Sequence, residues 1–92
     1  MKKEKNLNKI VTERVLNVAD CAFGTRQVEV RRVHDKDYIF LNRDQDRQII
    51  FEIKDNDVHY VMGLHPWNCD NIARLGRVLS ALQSAYHLEC EQ

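Results

Sequence analysis

Apolar residues recur along the chain with two different periods, and the change between them divides the sequence into elements. Near the N-terminus they follow at steps of three or four residues, which is typical of one stripe of a helix: Leu7, Val11, Val15, Val18 and Ala22, with Ile10 and Leu16 beside them. Asn6 or Asn8 is suited to cap this helix, and Gly24 to stop it. The pattern predicts a helix over residues 6–20.

From residue 26 the period becomes two, which is typical of half-buried strands. Successive runs place on one face Val28 and Val30, then Ile49, Phe51 and Ile53, then Val58, Tyr60, Met62 and Leu64. The run "YIFL" at residues 38–41 is apolar on both faces, so its register stays open. The polar breaks "HDKD", "RDQD" and "KDND" have hairpin length, so we expect four strands in an antiparallel meander.

The last segment has the most regular helical spacing, in Ile72, Leu75, Leu79, Leu82 and Tyr86. Asn68 is a suitable N-cap, and Asp70 in the first turn favours the positive end of the helix dipole. The predicted fold class is α+β, in the order α-β-β-β-β-α. It is a four-stranded antiparallel meander with N- and C-terminal helices packed on one face. Residues 1–92 form a single compact domain in which the basic residues 1–5 are frayed.

Composition favours one globular domain. The 92 residues are 43% hydrophobic and 30% charged, and no apolar run approaches the roughly 20 residues that span a bilayer. No apolar segment of the signal-peptide kind follows the charged start. The three cysteines, Cys21, Cys69 and Cys90, form no C-x-x-C pair, so we expect reduced thiols in a cytoplasmic protein.

The net charge is zero, but it is unevenly distributed. Residues 1–14 carry five basic and two acidic side chains, whereas residues 33–57 carry four basic and seven acidic ones. Proteins that bind nucleic acid strongly usually have a basic excess, because neutralising phosphates supplies most of their affinity. Nucleic acid is therefore a less favoured partner than protein.

Two sets of residues suggest metal ligands. An Asp-x-Asp pair stands in each predicted turn, at 35–37, 44–46 and 55–57, and the first and third turns share one end of the sheet. His65 with Cys69, and His87 with Cys90, would supply a zinc ligand set, but 22 helical residues hold the pairs about 30 Å apart. Asp is also a preferred turn residue. We expect neither a metal nor any other cofactor, and keep a metal-dependent hydrolase as an unfavoured alternative.

The sequence contains no nucleophile motif and no phosphate-binding loop. Cys69 lies near the predicted N-terminus of the last helix, a position that favours thiol reactivity, but this signal is weak without a base beside it. The three glycines are isolated, and a domain of this size has little room for a deep pocket. We expect that the protein is not an enzyme.

One corner is the first candidate binding site. The meander brings to a single end of the sheet Arg26, Arg43, Arg47, His65 and Trp67. Tryptophan and arginine are enriched at interface hot spots, and an aromatic beside arginines also suits a stacked base. Alternatively, Trp67 caps the core over the start of the last helix.

The predicted solvent side of the sheet is the second candidate. It mixes charges and aromatics: Arg31, Tyr38 or Ile39, Gln48, Glu52, Lys54 and His59. Apolar residues on both faces of 38–41 imply that another protein surface covers the outer face of the sheet.

The apolar stripe of the last helix is also wider than one contact needs. We predict a dimer contact there through Val78, Ala81, Ala85 and Leu88.

Strands that end in Gly63-Leu64-x-Pro66 before a helix resemble the single-strand-binding coactivator domains of the PC4 type, over residues 26–86. That resemblance implies a dimer formed through the helix and a nucleic-acid ligand. However, Trp67 directly follows the proline, whereas the family's tryptophan comes later. In general style the chain also resembles accessory proteins of phages and mobile elements, including anti-CRISPR inhibitors. The favoured function is that of a non-enzymatic protein, expected to form a homodimer, that binds and regulates or inhibits a larger protein machine.

Overall fold

The computed structural model describes residues 6–90 and confirms the predicted α+β layout. The elements are a short 3₁₀ helix Leu7–Ile10, α1 Glu13–Phe23, β1 Val28–Val33, β2 Lys36–Asp44, β3 Arg47–Lys54, β4 Asp57–Met62 and α2 Cys69–Cys90. The strands are antiparallel and lie side by side in the order β1-β2-β3-β4, which is the predicted meander. The predicted fraying of residues 1–5 falls outside the described residues.

The first α-helix begins at Glu13, later than the apolar pattern predicts, because Thr12 is its N-cap and is not helical. Thr12 is extended, with φ −86° and ψ 166°, and its Oγ1 accepts a hydrogen bond from the N–H of Val15 at 3.2 Å. This is the geometry of an N-cap, so the prediction of one helix over residues 6–20 is wrong. The helix stops at Gly24 as predicted, with φ +70° and the Gly24 N–H bonded to the Asp20 carbonyl.

Two-residue loops join the strands at the three predicted polar breaks. His34 and Asp35 have φ values of 50° and 65°, and Asp55 and Asn56 have φ values of 55° and 61°. Two successive positive φ values make a type I′ turn, whose twist matches that of the flanking strands. Asp and Asn tolerate this conformation better than most residues, so their presence in these breaks has a backbone explanation.

The neighbouring strand fixes the register that the run 38–41 left open. Ile39 pairs with Phe51 and Leu41 pairs with Ile49, and all four side chains are fully buried. Tyr38 and Phe40 therefore lie on the opposite face, because successive side chains alternate along a strand.

A β-bulge in β4 alters the predicted face of one residue. Phe51 pairs with Tyr60 and Ile50 pairs with Met62, which leaves Val61 as an extra residue between them. Two residues then oppose one on the partner strand, and Val61 and Met62 are both exposed. The prediction that Met62 shares the buried face of β4 is therefore wrong.

The two α-helices lie together on one face of the sheet, as predicted. Their apolar sides join the buried strand residues in a single core, in which α2 contacts β4 and α1 packs on α2. Three of the four predicted dimer residues, Val78, Ala81 and Ala85, are only 1%, 5% and 8% exposed inside this core. They are therefore not available as an exposed dimer stripe, and of the four residues only Leu88 is exposed, at 61%.

Candidate functional site

The face of the sheet turned away from the helices carries a group of apolar side chains. We call it the outer patch, and it consists of Tyr38, Phe40, Ile50, Val61 and Met62. The central members are direct neighbours across the strands, since Phe40 pairs with Ile50 and Ile50 pairs with Met62. Val61 is 38% and Met62 57% exposed, while Tyr38, Phe40 and Ile50 are half-buried. The patch is therefore a continuous apolar stripe over three strands.

The aromatic half of the outer patch is held in place by arginine. The rings of Tyr38 and Phe40 lie 6.4 Å apart between centroids. The guanidinium carbon of Arg31 lies 4.8 Å from the centroid of the Phe40 ring, which is a cation–π distance. An aromatic stacked under an arginine presents a flat, partly desolvated surface of the kind enriched at protein interfaces.

A polar network borders the same ring. The Glu29 carboxylate accepts hydrogen bonds from Arg31 at 2.6 Å and from the Asn42 amide at 2.7 Å. The Gln48 amide in turn donates to the Asn42 side-chain oxygen at 2.7 Å. The network links side chains of β1, β2 and β3 beside the Phe40 ring.

The network lowers the pKa of Glu29, first through the hydrogen bond from Arg31 and second through the bond from Asn42. Replacing Arg31 with alanine is expected to raise that pKa toward its ordinary value, because the main donor and its positive charge are removed. NMR titration of the Glu29 side-chain carboxyl carbon measures the change, and Asn42→Ala should give a smaller rise. An unchanged pKa in Arg31→Ala would contradict the contact.

The sign of the accompanying stability effect follows from linkage. A carboxylate with a lowered pKa in the folded state stabilises the fold above its unfolded pKa. That contribution begins to decrease as the pH falls below the unfolded pKa of about 4.5, and it is lost as the pH falls through the lower folded pKa.

Charges on the outer face are mixed rather than of one sign. Arg31 is paired with Glu29 at 2.6 Å, and the Lys36 ammonium lies 4.0 Å from the Glu52 carboxylate. Single-sign basic surfaces attract phosphates, whereas interspersed charges around an apolar centre are typical of the rim of a protein interface.

The corner predicted as a binding site is divided between separate contacts. Arg26 bonds to Asn17 and Glu13 of α1, at 2.6 and 2.5 Å. Arg43 is an extra, bulged residue of β2, and its guanidinium lies 5.2 Å from the ring centroid of Phe23. Two of the five predicted site residues are thus engaged by α1.

The remaining corner residues, Arg47, His65 and Trp67, also lie at this end of the sheet and are exposed. Within residues 6–90, no hydrogen bond, ion pair or ring contact links any of the five predicted residues to another. They share an end of the sheet without forming one contact group.

Trp67 extends a chain of aromatic rings from the core to the surface. Its ring lies 5.6 Å from that of Tyr60 at an interplanar angle of 90°, and Tyr60 lies 6.3 Å from the buried Phe51 at 69°. The Tyr60 hydroxyl accepts a hydrogen bond from the N–H of Leu64 at 3.2 Å. Trp67 is nevertheless 52% exposed. Its ring therefore packs on Tyr60 with about half of its surface open to solvent.

The start of α2 confirms the predicted cap. The Asn68 side chain accepts a hydrogen bond from the N–H of Asn71 at 2.8 Å, and the Asn71 amide donates to the Pro66 carbonyl at 2.6 Å. The loop between β4 and α2 is thereby held by side chains on both sides of the proline.

The predicted ligand sets do not converge in the described part of the chain. Across residues 6–90, no three His, Cys, Asp or Glu side chains come together in a group that could hold a metal ion. Cys69 and Cys90 stand at opposite ends of α2, and the thiols of Cys21, Cys69 and Cys90 are free. His87 instead contacts Asp57, with 3.2 Å between Nε2 and Oδ1.

Sequence reasoning identified the outer face but missed the arrangement within it. It placed Arg31 and Gln48 on this face, whereas the contacts of Glu29 and Asn42 and the outward position of Ile50 follow from the cross-strand register. The signal that could have found them is the pairing of "RQIIFEIK" with "DYIFLN", in which Ile50 is apolar on the polar side of its strand.

No helix in residues 6–90 is both long and apolar enough to cross a membrane. Comparisons of the chain with protein-family models, curated proteins and solved structures found no match.

Proposed function

We propose that this chain is a non-enzymatic interaction protein that binds another protein through the outer patch and so regulates or inhibits a larger assembly. The observation that carries the proposal is the continuous apolar stripe Phe40–Ile50–Met62 on the sheet face opposite the helices. Exposed apolar groups rimmed by polar residues mark interaction sites. A rigid sheet face acts by covering a surface of its partner, which suits regulation or inhibition.

The preformed surroundings of Phe40 strengthen the argument. Arg31 and its network hold the ring before binding, so a partner does not have to order these side chains itself. Preorganisation of this kind raises affinity by reducing the entropy lost on association. Arginine and aromatic residues also carry most of the binding energy in many interfaces.

A single-stranded nucleic acid is the second candidate ligand for this face. Bases can stack on Tyr38 and Phe40, and Arg31 lies directly beside them. Protein remains the better supported partner, because Glu29 already neutralises Arg31 and the charges nearby are mixed.

The test is a pull-down of the tagged protein from its host's lysate, with and without nuclease, followed by mass spectrometry. We expect a stoichiometric protein partner that survives nuclease and is lost in Phe40→Ala/Ile50→Ser. Removing hot-spot side chains costs 2 kcal/mol or more, which corresponds to about 30-fold in affinity. Ile72→Ser is the matched control, since Ile72 is 53% exposed on α2, away from the sheet face.

Other outcomes would contradict the proposal. Binding that survives in Phe40→Ala/Ile50→Ser, with circular dichroism showing a folded domain, removes the outer patch as the site. Partners that vanish with nuclease, and affinity that falls steeply with salt, favour the nucleic-acid candidate. A dimer in light scattering that becomes a monomer in the double variant assigns the patch to a second copy of the chain.

A further inference from the structure

A groove runs between α1 and α2. It consists of two adjoining cavities of about 310 and 620 Å³, which share Arg14 and Ala81. Along α2 the lining extends from Ala73 to Glu89. At 1.5 Å per residue this is about 24 Å, the length of a helix of roughly 16 residues.

Six of the nine α2 residues that line the groove are small. They are Ala73, Gly76, Ser80, Ala81, Ser84 and Ala85. Ala73, Gly76, Ser80 and Ser84 recur at steps of three or four along the exposed side of α2, opposite the buried Leu75, Val78 and Leu82. Small side chains at a contact allow two helices to approach near the short end of the usual 8–10 Å range.

Gly76, the smallest residue of this set, leaves room for a close approach to this side of α2. Glycine inside a helix is less favourable than alanine, by about fivefold in the folding equilibrium. A Cβ at position 76 would meet no atom within 4 Å, so packing inside the domain gives no reason for glycine here. The missing side chain leaves the helix backbone open toward the groove.

Charge indicates what kind of partner fits. Lys9 lines the smaller cavity, Arg77 lines the larger one, and Arg14 lies where they join. Within residues 6–90 the side chains of these three residues form no ion pair or hydrogen bond. The only carboxylate in the lining of the two cavities is Glu89. A second copy of this chain would bring the same cations against themselves, which disfavours self-association here.

From these features we propose that the α1–α2 groove binds an acidic amphipathic helix of a partner protein. Small or apolar residues of that helix lie along the seam of Ala73, Gly76 and Ser80. Its carboxylates reach Lys9, Arg14 and Arg77 along the groove. Recognition of a helix in a groove through anchors at helical spacing is a common binding mode. This site lies on the helix layer and is separate from the outer patch.

The test selects binders from a yeast-displayed library of 18-residue amphipathic helices, randomised along one face, using the full-length protein as bait. We expect enrichment of acidic sequences with small or apolar residues at i, i+3/i+4 and i+7. Their affinity should fall at least tenfold in Gly76→Leu and in Arg14→Glu/Arg77→Glu. Phe40→Ala in the outer patch should bind as the wild type does, which separates this proposal from the outer-patch function.

Gly76→Ala serves as the folding control, because the added methyl group has room and alanine favours the helix. It should melt at a higher temperature than the wild type and retain more affinity than Gly76→Leu. The proposal fails if no selected helix distinguishes wild type from Gly76→Leu, or if the enriched sequences are neutral or basic. It also fails if light scattering shows a dimer that Gly76→Leu abolishes, since a second copy would then occupy the groove.

Discussion

Replacing Gly63 with alanine is expected to lower the free energy of unfolding by about 4 kcal/mol or more, a large share of the stability of a typical domain. A Cβ at this position would lie 2.1 Å from the carbonyl oxygen of Gln48 and 2.7 Å from the Cα of Ile49. Both are backbone atoms of β3, so neither can rotate aside. Gly63 also has φ +123°, where residues with a side chain are strained. Urea unfolding followed by circular dichroism measures the loss.

The other two glycines provide matched controls for Gly63. Gly24 also has a positive φ, but a Cβ there would meet nothing within 4 Å. Gly24→Ala should therefore cost only the left-handed backbone strain, about 1–2 kcal/mol. Gly76→Ala should be stabilising, because the added methyl group has room and alanine favours the helix. If Gly63→Ala and Gly24→Ala were equally stable, the close approach of residue 63 to β3 would be refuted.

Phe51→Ala is the second change expected to have a large effect, a loss of about 3–5 kcal/mol. Phe51 is fully buried, pairs with Ile39 and supports the ring of Tyr60 edge-on. Its removal leaves a cavity in the centre of the core and takes away the support beneath Trp67. Urea unfolding gives the stability, and the emission of the single tryptophan should shift to longer wavelength in the native state.

Phe40→Ala is the control for Phe51→Ala, since both remove the same side chain from neighbouring central strands. Phe40 is half-buried on the outer face, where its ring contacts Arg31 and Tyr38 rather than the core. We expect a loss of about 1 kcal/mol and no change in tryptophan emission. Equal losses in the two variants would contradict the assignment of Phe40 to the outer face.

The strands and turns were predictable because their signals are local. Alternation identified the strands, and Asp and Asn in the breaks identified the hairpins. In the first and third hairpins the loop residues have positive φ values, which Asp and Asn tolerate. The start of α1 was not predicted, since the apolar stripe continues through Thr12 without interruption. Only the preference of threonine for the N-cap position pointed to the break.

Features that depend on the pairing of distant residues were beyond the sequence pattern. Met62 follows the alternation of its strand, but the bulge at Val61 turns it to the exposed side. Val78, Ala81 and Ala85 form an apolar stripe, and only the packing of α1 on α2 shows that the domain itself covers it.

The same limit applies to the candidate site. The predicted strand order places Arg26 and Arg43 at one end of the sheet, and the structure has this strand order. The contacts of Arg26 with Glu13 and Asn17, and of Arg43 with Phe23, depend on the position of α1, which the sequence pattern does not give. The outer face was identified because residues 38–41 are apolar on both faces of the sheet, and helices packed on one face leave the other face uncovered.

The strand order β1-β2-β3-β4 leaves two strands with a free side, and this determines how the sheet can meet other molecules. Unpaired strand edges invite uncontrolled extension by further strands, the route to fibrillar aggregation. On β4 the bulge at Val61 breaks the regular ladder, and Gln83 from α2 donates to the Val58 carbonyl at 3.0 Å. On β1 the consecutive charged residues Arg31 and Arg32 disfavour pairing with a further strand. Both borders are thus protected against strand addition, while the apolar surface between them stays accessible.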